Sequence, residues 1–487
     1  MRFSYSNLLK SIALYGSGDL LVKASVFITI PIYTRIFAPQ DYGVLSYIFA
    51  SVGLFSVFLS LGAESVFTRF YWEAKTAKER KIFASTWFSF LSLWSVGIVL
   101  FCLPFRGFFL QWSFGTSKYA TMLALAILTV PVSLLNSLCG QVLRNQERPG
   151  LFSVLNFFST LLNVGVSLYA VVILRLGLLG IFAGGLIAAC IMLPVRLWTA
   201  RHLLAPVFSK HVLGNMLAFG VPLVPMSMAY WIFGLSDRMI LGKLSSLDQV
   251  GLYAIAYSLS SILFLINSAV GLAWAPLAMQ MYEKDRENAP VIIGQFMTYL
   301  LVVFGLLSVV ITTFALEAIM LLTTPAFYPA ASAVGPLTLG FSALATTQVT
   351  ALGISLTKKT KFFPVLAWSA ALINLCLNIL FIPRWGMLAA SWTTAISYSF
   401  LSVSYMLKSQ SLWPVLYERQ RALIATGLTF VFVVGVTLLP EMSAIARTTL
   451  KILYVMTYVG LLVRFQVLDK REWRAFSSIL RDKLALA

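Results

Sequence analysis

Apolar residues run through this chain in long blocks, and short polar segments with most of the charged residues separate them. Each block has about twenty residues, the length that an α-helix needs to cross the hydrocarbon core of a membrane. Membrane-spanning strands would instead appear as short segments of alternating polar and apolar residues. The pattern therefore predicts an all-α polytopic membrane protein. Fourteen spans are predicted, at residues 12–36, 43–68, 82–104, 119–141, 151–173, 178–198, 214–239, 250–281, 291–315, 333–356, 363–382, 387–407, 422–439 and 446–466.

The composition agrees with this class. Hydrophobic residues make up 59% of the chain and charged residues 11%, whereas roughly 25% of the residues in a soluble domain are charged. The net charge of +19 does not indicate nucleic-acid binding, because the bases lie in short loops between spans. Lysine and arginine are concentrated in alternate loops, and the positive-inside rule assigns those loops to the cytoplasm. We therefore expect both termini in the cytoplasm and no nucleic-acid partner.

The two halves of the chain resemble each other at an offset of about two hundred residues. A basic residue closes a span, a short loop follows, and a glycine-bearing segment opens the next span. The matching pairs are Arg35 with Arg238, Gly43 with Gly251, Glu73 with Glu283, Asn163 with Asn374, Arg175 with Arg384, and Gly177 with Gly386. Such a parallel repeat is typical of transporters that work by alternating access. It predicts two pseudo-symmetric six-helix lobes around a central cavity, followed by helices 13 and 14.

The predicted domains follow from this repeat. Residues 1–205 form the N-lobe with helices 1–6, and residues 206–410 form the C-lobe with helices 7–12. Residues 411–487 contain helices 13 and 14 and a basic tail. The tail places Trp473 and Phe476 at helical spacing with Leu480 and Leu484, which predicts an amphipathic helix on the anionic inner leaflet. An ordinary solvated tail is the alternative.

Several charged residues fall inside predicted spans, where hydrocarbon penalises charge. Asp19 and Lys23 are four residues apart in the first span, so they share one helix face. They form either a cargo or proton site, or a structural pair that neutralises itself. Glu64 and Arg69 lie toward the inner end of the second span, where a gate or loop contact is as reasonable as a cargo role.

No catalytic or metal-binding pattern accompanies these charges. The sequence has no Walker loop, no HExxH motif and no nucleophile elbow. Its four cysteines are far apart, so they form no metal-ligand spacing. We therefore expect a protein that is not an enzyme and that needs no cofactor or metal, although coupling to an ion or to protons stays open.

Three stretches identify a family that this sequence resembles. They are IPIYTRIFAPQDYGVLSY at 30–47, SVFTRFYWE at 65–73, and FGVPLVPMSMAYWIFGLSDRMILGKLSSLDQVGLYAIAY at 219–257. They resemble the polysaccharide transporters of the MOP superfamily, the bacterial flippases for lipid-linked O-antigen, capsule or exopolysaccharide repeat units. The resemblance implies a multi-pass protein of the bacterial cytoplasmic membrane whose cargo is undecaprenyl-diphosphate-linked oligosaccharide. Polysaccharide polymerases and glycosyltransferases would be its partners.

The resemblance also gives the charged residues provisional roles. Lys23 is the first candidate for contact with the diphosphate, together with Arg35 or Arg238. Asp19, Asp237 and Glu64 are candidates for coupling or for tuning the charge of the cavity. Arg69, Glu73 and Glu283 are candidates for a cytoplasmic gate.

Three other functions are compatible with the same pattern. A multidrug antiporter of the related MATE group would favour an acidic cavity, and the base in the first span argues against it. A lipid II flippase also has fourteen spans, but the segment from Asp237 to Tyr257 fits the polysaccharide branch better. A scaffold for a synthase complex would lack any cavity between lobes.

Overall fold

The computed structural model describes residues 27–114, 116–439 and 444–468 of the chain. Within these ranges the regular secondary structure is entirely helical. Twelve of the helical segments found there are long and apolar enough to cross a membrane. The all-α membrane class predicted from the apolar blocks is therefore confirmed.

The number of spans stays a prediction. The predicted spans 363–382 and 387–407 lie in one continuous segment, Phe362–Leu412, which contains two helices joined at Gly386. Gly386 has a φ of 52°, a left-handed conformation that glycine adopts without steric penalty. Of the first predicted span, the described part is the short apolar helix Phe27–Ile36.

Contacts between helices divide the chain into two compact units. The first unit comprises the described residues through Ala254, with Leu322–Ala326 and Asn378–Gly386. Its helices are α1 (Phe27–Ile36), α2 (Pro39–Ser60), α3 (Ala63–Glu73), α4 (Ala77–Cys102), α5 (Arg106–Phe114), α6 (Ala120–Asn145), α7 (Pro149–Leu168), α8 (Leu178–Ala200), α9 (Lys210–Gly220), α10 (Val224–Trp231), α11 (Asp237–Leu244) and the first half of α12 (Leu247–Ser260).

The second unit comprises Ile255–Leu321, Phe327–Leu377 and the described residues from Met387 onward. Its helices are the rest of α12, α13 (Ile262–Lys284), α14 (Ala289–Thr313), most of α15 (Ala315–Leu322), α16 (Ala331–Thr350), α17 (Leu352–Leu356), most of α18 (Phe362–Leu412), α19 (Arg419–Gly435) and α20 (Ala444–Arg464). The lobe boundaries predicted near residues 205 and 410 stay predictions.

Two membrane-spanning segments of the first unit are interrupted at the same place. Leu61 and Gly62 have φ angles of 46° and 68°, and this left-handed pair separates α2 from α3. The neighbouring segment leaves α9 through a 3₁₀ turn at Val221–Leu223. The two breaks touch, because a Cβ atom at Gly220 would lie 2.4 Å from the carbonyl oxygen of Leu61. Non-helical backbone at membrane depth is tolerated where it is buried in protein or lines a cavity.

Two glycines that the repeat pairs with each other form a helix crossing in the first unit. A Cβ atom at Gly43 of α2 would lie 1.8 Å from the carbonyl oxygen of Leu247. A Cβ atom at Gly251 of α12 would lie 2.0 Å from the carbonyl oxygen of Pro39. Each glycine thus packs on the carbonyl four residues before the other glycine. This reciprocal contact is the arrangement expected of two related segments about a local two-fold axis, and it agrees with the predicted repeat.

Candidate functional site

The first unit contains two adjoining cavities among its membrane-spanning helices. The larger has a volume of about 570 Å³ and is lined by α2, α3, α6, α7, α8 and Ser227 of α10. The smaller, of about 350 Å³, lies between α3, α6, α7 and α8. Both volumes are in the range of small-molecule binding sites. The two cavities adjoin each other, because they share the lining residues Glu64, Thr129, Ser133, Ser137, Asn163 and Gly185.

The larger cavity carries mainly uncharged polar groups among apolar side chains. Its hydroxyl and amide groups come from Ser56, Ser60, Ser65, Thr129, Ser133, Ser137, Asn163 and Ser227. Its apolar side chains include Phe49 and Phe182, whose rings pack with centroids 5.4 Å apart. Glu64 is the ionisable side chain among the lining residues that the structure describes. We call this region the neutral cavity.

The break between α2 and α3 places Glu64 at the junction of the two cavities. Ser60, Gly62 and Glu64 all line the neutral cavity, so the interrupted backbone forms part of its wall. Glu64 lies in the first turn of α3, where the helix dipole favours a carboxylate. The Ser137 hydroxyl donates a hydrogen bond to Glu64, and Arg144 Nη1 lies 3.8 Å from its Oε2 atom.

The smaller cavity contains a buried arginine that makes neutral hydrogen bonds. Arg196 of α8 is 8% exposed. Its Nη2 atom donates to Asn156 Oδ1 and Ser159 Oγ, both at 2.8 Å, and makes a longer contact of 3.5 Å to the Leu155 carbonyl. Its Nη1 atom donates to the Asn136 carbonyl at 3.2 Å. In the described part of the chain, no carboxylate lies within 4.0 Å of this guanidinium.

The contacts of Arg196 all lie on neighbouring helices inside the first unit. Its Nη1 atom reaches the Asn136 carbonyl of α6, and its Nη2 atom reaches Asn156 and Ser159 of α7. Long basic side chains near helix ends ordinarily extend to the aqueous interface. The buried contacts of Arg196 instead place a positive charge at the wall of the smaller cavity.

The two cavities therefore differ in charge. Arg144 and Arg196 both line the smaller cavity, and Glu64 is the acidic residue among its described lining residues. We call the smaller region the cationic cavity. An arrangement of this kind suits a ligand with an anionic group at one end and a neutral, hydroxyl-rich group at the other.

Arg196 is not among the site residues predicted from the sequence. The sequence carried a signal that distinguishes it, because residue 196 falls inside the predicted span 178–198 rather than after it. Asn163, which the repeat pairs with Asn374, is also absent from the predicted site residues, and it lines both cavities.

The predicted gate residues lie near the end of the first unit where α3 finishes, or in the second unit. Arg69 and Glu73 form an ion pair of 2.7 Å one turn apart on α3, and both side chains are half-exposed. The guanidinium of Arg69 also lies over the Phe219 ring, 4.3 Å from its centroid. Glu283 is exposed near the end of α13. The gate role of these residues stays a prediction.

Asp237 and Arg238 are both buried, and both lie near Tyr253. Asp237 is fully buried and accepts hydrogen bonds from Tyr253 Oη at 2.6 Å and from Asn378 Nδ2 at 2.7 Å. Arg238 is also buried, and its Nη1 atom donates to the Gly234 carbonyl at 2.6 Å. Asp237 follows a π-helical turn, Ile232–Ser236, a distortion frequent at functional sites.

The remaining predicted residues lie apart from the two cavities or outside the described ranges. Arg35 is exposed on α1, and its Nη1 atom donates to the Pro31 carbonyl one turn earlier. Asp19 and Lys23 lie outside the described residues, as does the predicted amphipathic tail. Of the predicted site residues, the structure places Glu64 in the cavity wall. All the predicted roles stay predictions.

Comparisons with known proteins give both a family and a fold. A family model described as "Polysaccharide biosynthesis protein" matches residues 8–282. An uncharacterised membrane protein of Methanocaldococcus jannaschii is 24% identical over 199 residues, which are 39% of this chain. The chain spans only 38% of the length of that relative.

Solved structures with the same fold are transporters. The lipid II flippase MurJ, in an inward closed conformation, has a TM-score of 0.70 and 14% identity over 94% of this chain and 98% of its own. An inward-facing MATE-family multidrug transporter of the MOP superfamily has a TM-score of 0.63 and 15% identity, covering 82% and 94%. A MOP superfamily transporter of Pyrococcus furiosus has a TM-score of 0.59 and 14% identity, covering 82% and 95%.

Proposed function

Because this chain belongs to the polysaccharide biosynthesis protein family of MOP-superfamily flippases, we propose that it translocates undecaprenyl-diphosphate-linked oligosaccharide repeat units. The movement is from the cytoplasmic to the outer leaflet of the bacterial cytoplasmic membrane, by alternating access, and it supplies cell-surface polysaccharide synthesis. Glycosyltransferases that build the repeat unit and a polymerase that joins the units are the proposed partners.

The observation that carries this proposal is the pair of adjoining cavities among the membrane-spanning helices of the first unit. The proposed cargo has three parts with different chemistry: a lipid tail, an anionic diphosphate and a neutral oligosaccharide. Hydroxyl and amide groups in the neutral cavity can replace the hydrogen bonds that a sugar makes with water. Arginine side chains in the cationic cavity suit a phosphate group, to which the guanidinium can donate several hydrogen bonds.

The residues proposed from the sequence extend this site. Lys23, Arg35 and Arg238 are proposed to contact the diphosphate during its passage, and Asp19, Asp237 and Glu64 to tune the charge of the path or couple it to an ion. Of these, Glu64 has the strongest support, because it lies where the neutral and cationic cavities meet.

The proposal is tested with the purified full-length chain in liposomes that contain a fluorescent undecaprenyl-diphosphate oligosaccharide. A membrane-impermeant lectin reports how much of the glycan moves between leaflets. We expect faster movement than in protein-free liposomes. Ser133→Trp should block it, because Ser133 lines both cavities. Leu93→Trp is the matched control, because Leu93 is 75% exposed on α4 and lines neither cavity.

The same liposomes separate the other candidate functions. Movement of lipid II but not of the oligosaccharide lipid would replace the proposal with lipid II translocation. Export of organic cations without movement of either lipid would indicate a drug antiporter. No movement of any of these substrates would leave a non-transporting scaffold and contradict the proposal.

A further inference from the structure

The strongest unexplained feature of the first unit is the buried guanidinium of Arg196. A buried charge is strongly penalised unless it is paired with an opposite charge. The partners of Arg196 are instead two carbonyl oxygens, an amide oxygen and a hydroxyl oxygen, all of them neutral. Four neutral acceptors fix the position of the guanidinium but leave its charge uncompensated.

The guanidinium also keeps donors that no group in the described part of the chain uses. Its Nε atom is buried without a hydrogen-bond acceptor. Its Nη1 atom has two hydrogens, of which the Asn136 carbonyl accepts one. A buried donor without a partner needs an explanation, and an anionic ligand beside the guanidinium is one.

We propose that Arg196, held by Asn156, Ser159 and the Asn136 carbonyl, is the phosphate-binding residue of the cationic cavity. Its ligand is the diphosphate of a polyprenyl-linked substrate, with the attached glycan extending into the neutral cavity. This inference rests on the proposed function for the identity of the lipid, whereas the phosphate chemistry rests on the Arg196 surroundings alone. Arg144 lines the same cavity and is more exposed than Arg196, but Glu64 lies 3.8 Å from it and offsets part of its charge.

The sharpest test is Asn156→Asp in the full-length protein. The Asn156 Oδ1 atom already accepts from Arg196 Nη2 at 2.8 Å, so aspartate preserves the shape and the hydrogen bond while adding a negative charge. A carboxylate at this distance would pair with Arg196 and repel a phosphate. If Arg196 were only structural, the same change would stabilise the protein and leave binding intact.

Binding is measured by native mass spectrometry of the detergent-solubilised protein, titrated with undecaprenyl diphosphate and separately with undecaprenol. We expect the wild type to bind the diphosphate and to discriminate against the alcohol. Arg196→Gln and Asn156→Asp should each weaken diphosphate binding roughly ten- to hundredfold, the effect of losing a charge-assisted hydrogen bond. The melting temperature of Asn156→Asp should be at least that of the wild type.

Asn215→Asp is the matched control, because Asn215 is exposed on α9 of the same unit and does not line the cationic cavity. It should bind like the wild type, and equal weakening by Asn215→Asp would overturn the proposal in favour of a general charge effect. Wild-type binding by a folded Asn156→Asp protein would also overturn it. If Arg196→Gln fails to fold, the diphosphate binding of Asn156→Asp tests the proposal by itself.

Two further arms identify the source of the phosphate and separate this inference from the proposed function. Inorganic pyrophosphate should compete with undecaprenyl diphosphate, whereas equal competition by phosphatidylglycerol would overturn the assignment to a polyprenyl substrate. If the liposome assay shows no oligosaccharide movement while Asn156→Asp still abolishes diphosphate binding, the phosphate site stands and the transport function fails. If movement occurs and Asn156→Asp leaves binding and movement unchanged, the function stands and the site fails.

Discussion

Alanine at Gly43 would place a methyl group 1.8 Å from the carbonyl oxygen of Leu247, although Cβ atoms essentially never approach a neighbour closer than 3.0 Å. The obstacle is a backbone oxygen, which cannot move aside as the end of a side chain can. Helices α2 and α12 must therefore separate by at least about 1.2 Å, the difference between these two distances. Overpacking of this kind typically costs about 1–3 kcal/mol. The rigid backbone contact places Gly43→Ala at the upper end of that range.

The reciprocal contact makes a sharper prediction for the double variant. Gly251→Ala alone requires a separation of about 1.0 Å, because its Cβ would lie 2.0 Å from the Pro39 carbonyl oxygen. A separation of 1.2 Å that accommodates the first methyl group already accommodates most of the second. The double variant should therefore lose clearly less stability than the sum of the two single losses, because the effects of substitutions that share a contact are not additive.

Thermal unfolding of the purified protein in detergent measures these changes in stability. The variants that fold are then tested in the liposome assay. Gly97→Ala is the control, because a Cβ there would meet nothing within 4 Å. Replacing this glycine within α4 should be neutral or stabilising by roughly 0.5–1 kcal/mol. If Gly43→Ala melts at the same temperature as Gly97→Ala, or if the two losses add fully, the crossing described for α2 and α12 is wrong.

Three other substitutions test separate features. Tyr253→Phe removes the 2.6 Å hydrogen bond to the buried Asp237 carboxylate and should cost roughly 1.5–3 kcal/mol; an unchanged melting temperature would show that this bond contributes nothing. Glu317→Gln removes the negative charge and one of the two oxygen acceptors that lie 2.7 and 2.8 Å from the buried Lys451 Nζ atom, and it should cost roughly 3–5 kcal/mol, at the lower end because the carboxylate is partly exposed. Lys451→Met should lower the melting temperature less, because it leaves no buried cation, and the reverse order would refute this reasoning. Lys23→Ala should reduce polysaccharide export more than Lys23→Arg if its charge contacts phosphate, and normal export by an expressed Lys23→Ala protein would remove Lys23 from the site.

The apolar blocks predict where helices occur, because the length of a membrane span is a local property of the chain. The predicted span 151–173 corresponds to α7 and the π-helical turn that ends at Ile173, and the span 178–198 corresponds to α8. The repeat also has a structural counterpart, since the paired Gly43 and Gly251 meet at one helix crossing. The break at Leu61 was not predicted, although Gly62 follows it, because a single glycine inside a long apolar block does not by itself end a helix.

The site was less predictable, because it depends on which side chains meet across helices. The sequence shows that Asp237 and Arg238 are adjacent, but it does not show which distant groups they meet. Packing brings Asn378, 141 residues away, to the Asp237 carboxylate.

Sequence alone determined that this chain is a helical membrane protein with a repeated pattern, because apolar length and charge spacing act locally on each segment. It also gave the family resemblance and placed Glu64 among the residues to test. Only the tertiary structure decided that the Arg196 guanidinium is buried and held by acceptors from α6 and α7. These acceptors are 37 to 60 residues away along the chain. The position of residue 196 inside a predicted span indicates that the residue is unusual, but it does not show which side chains meet the guanidinium.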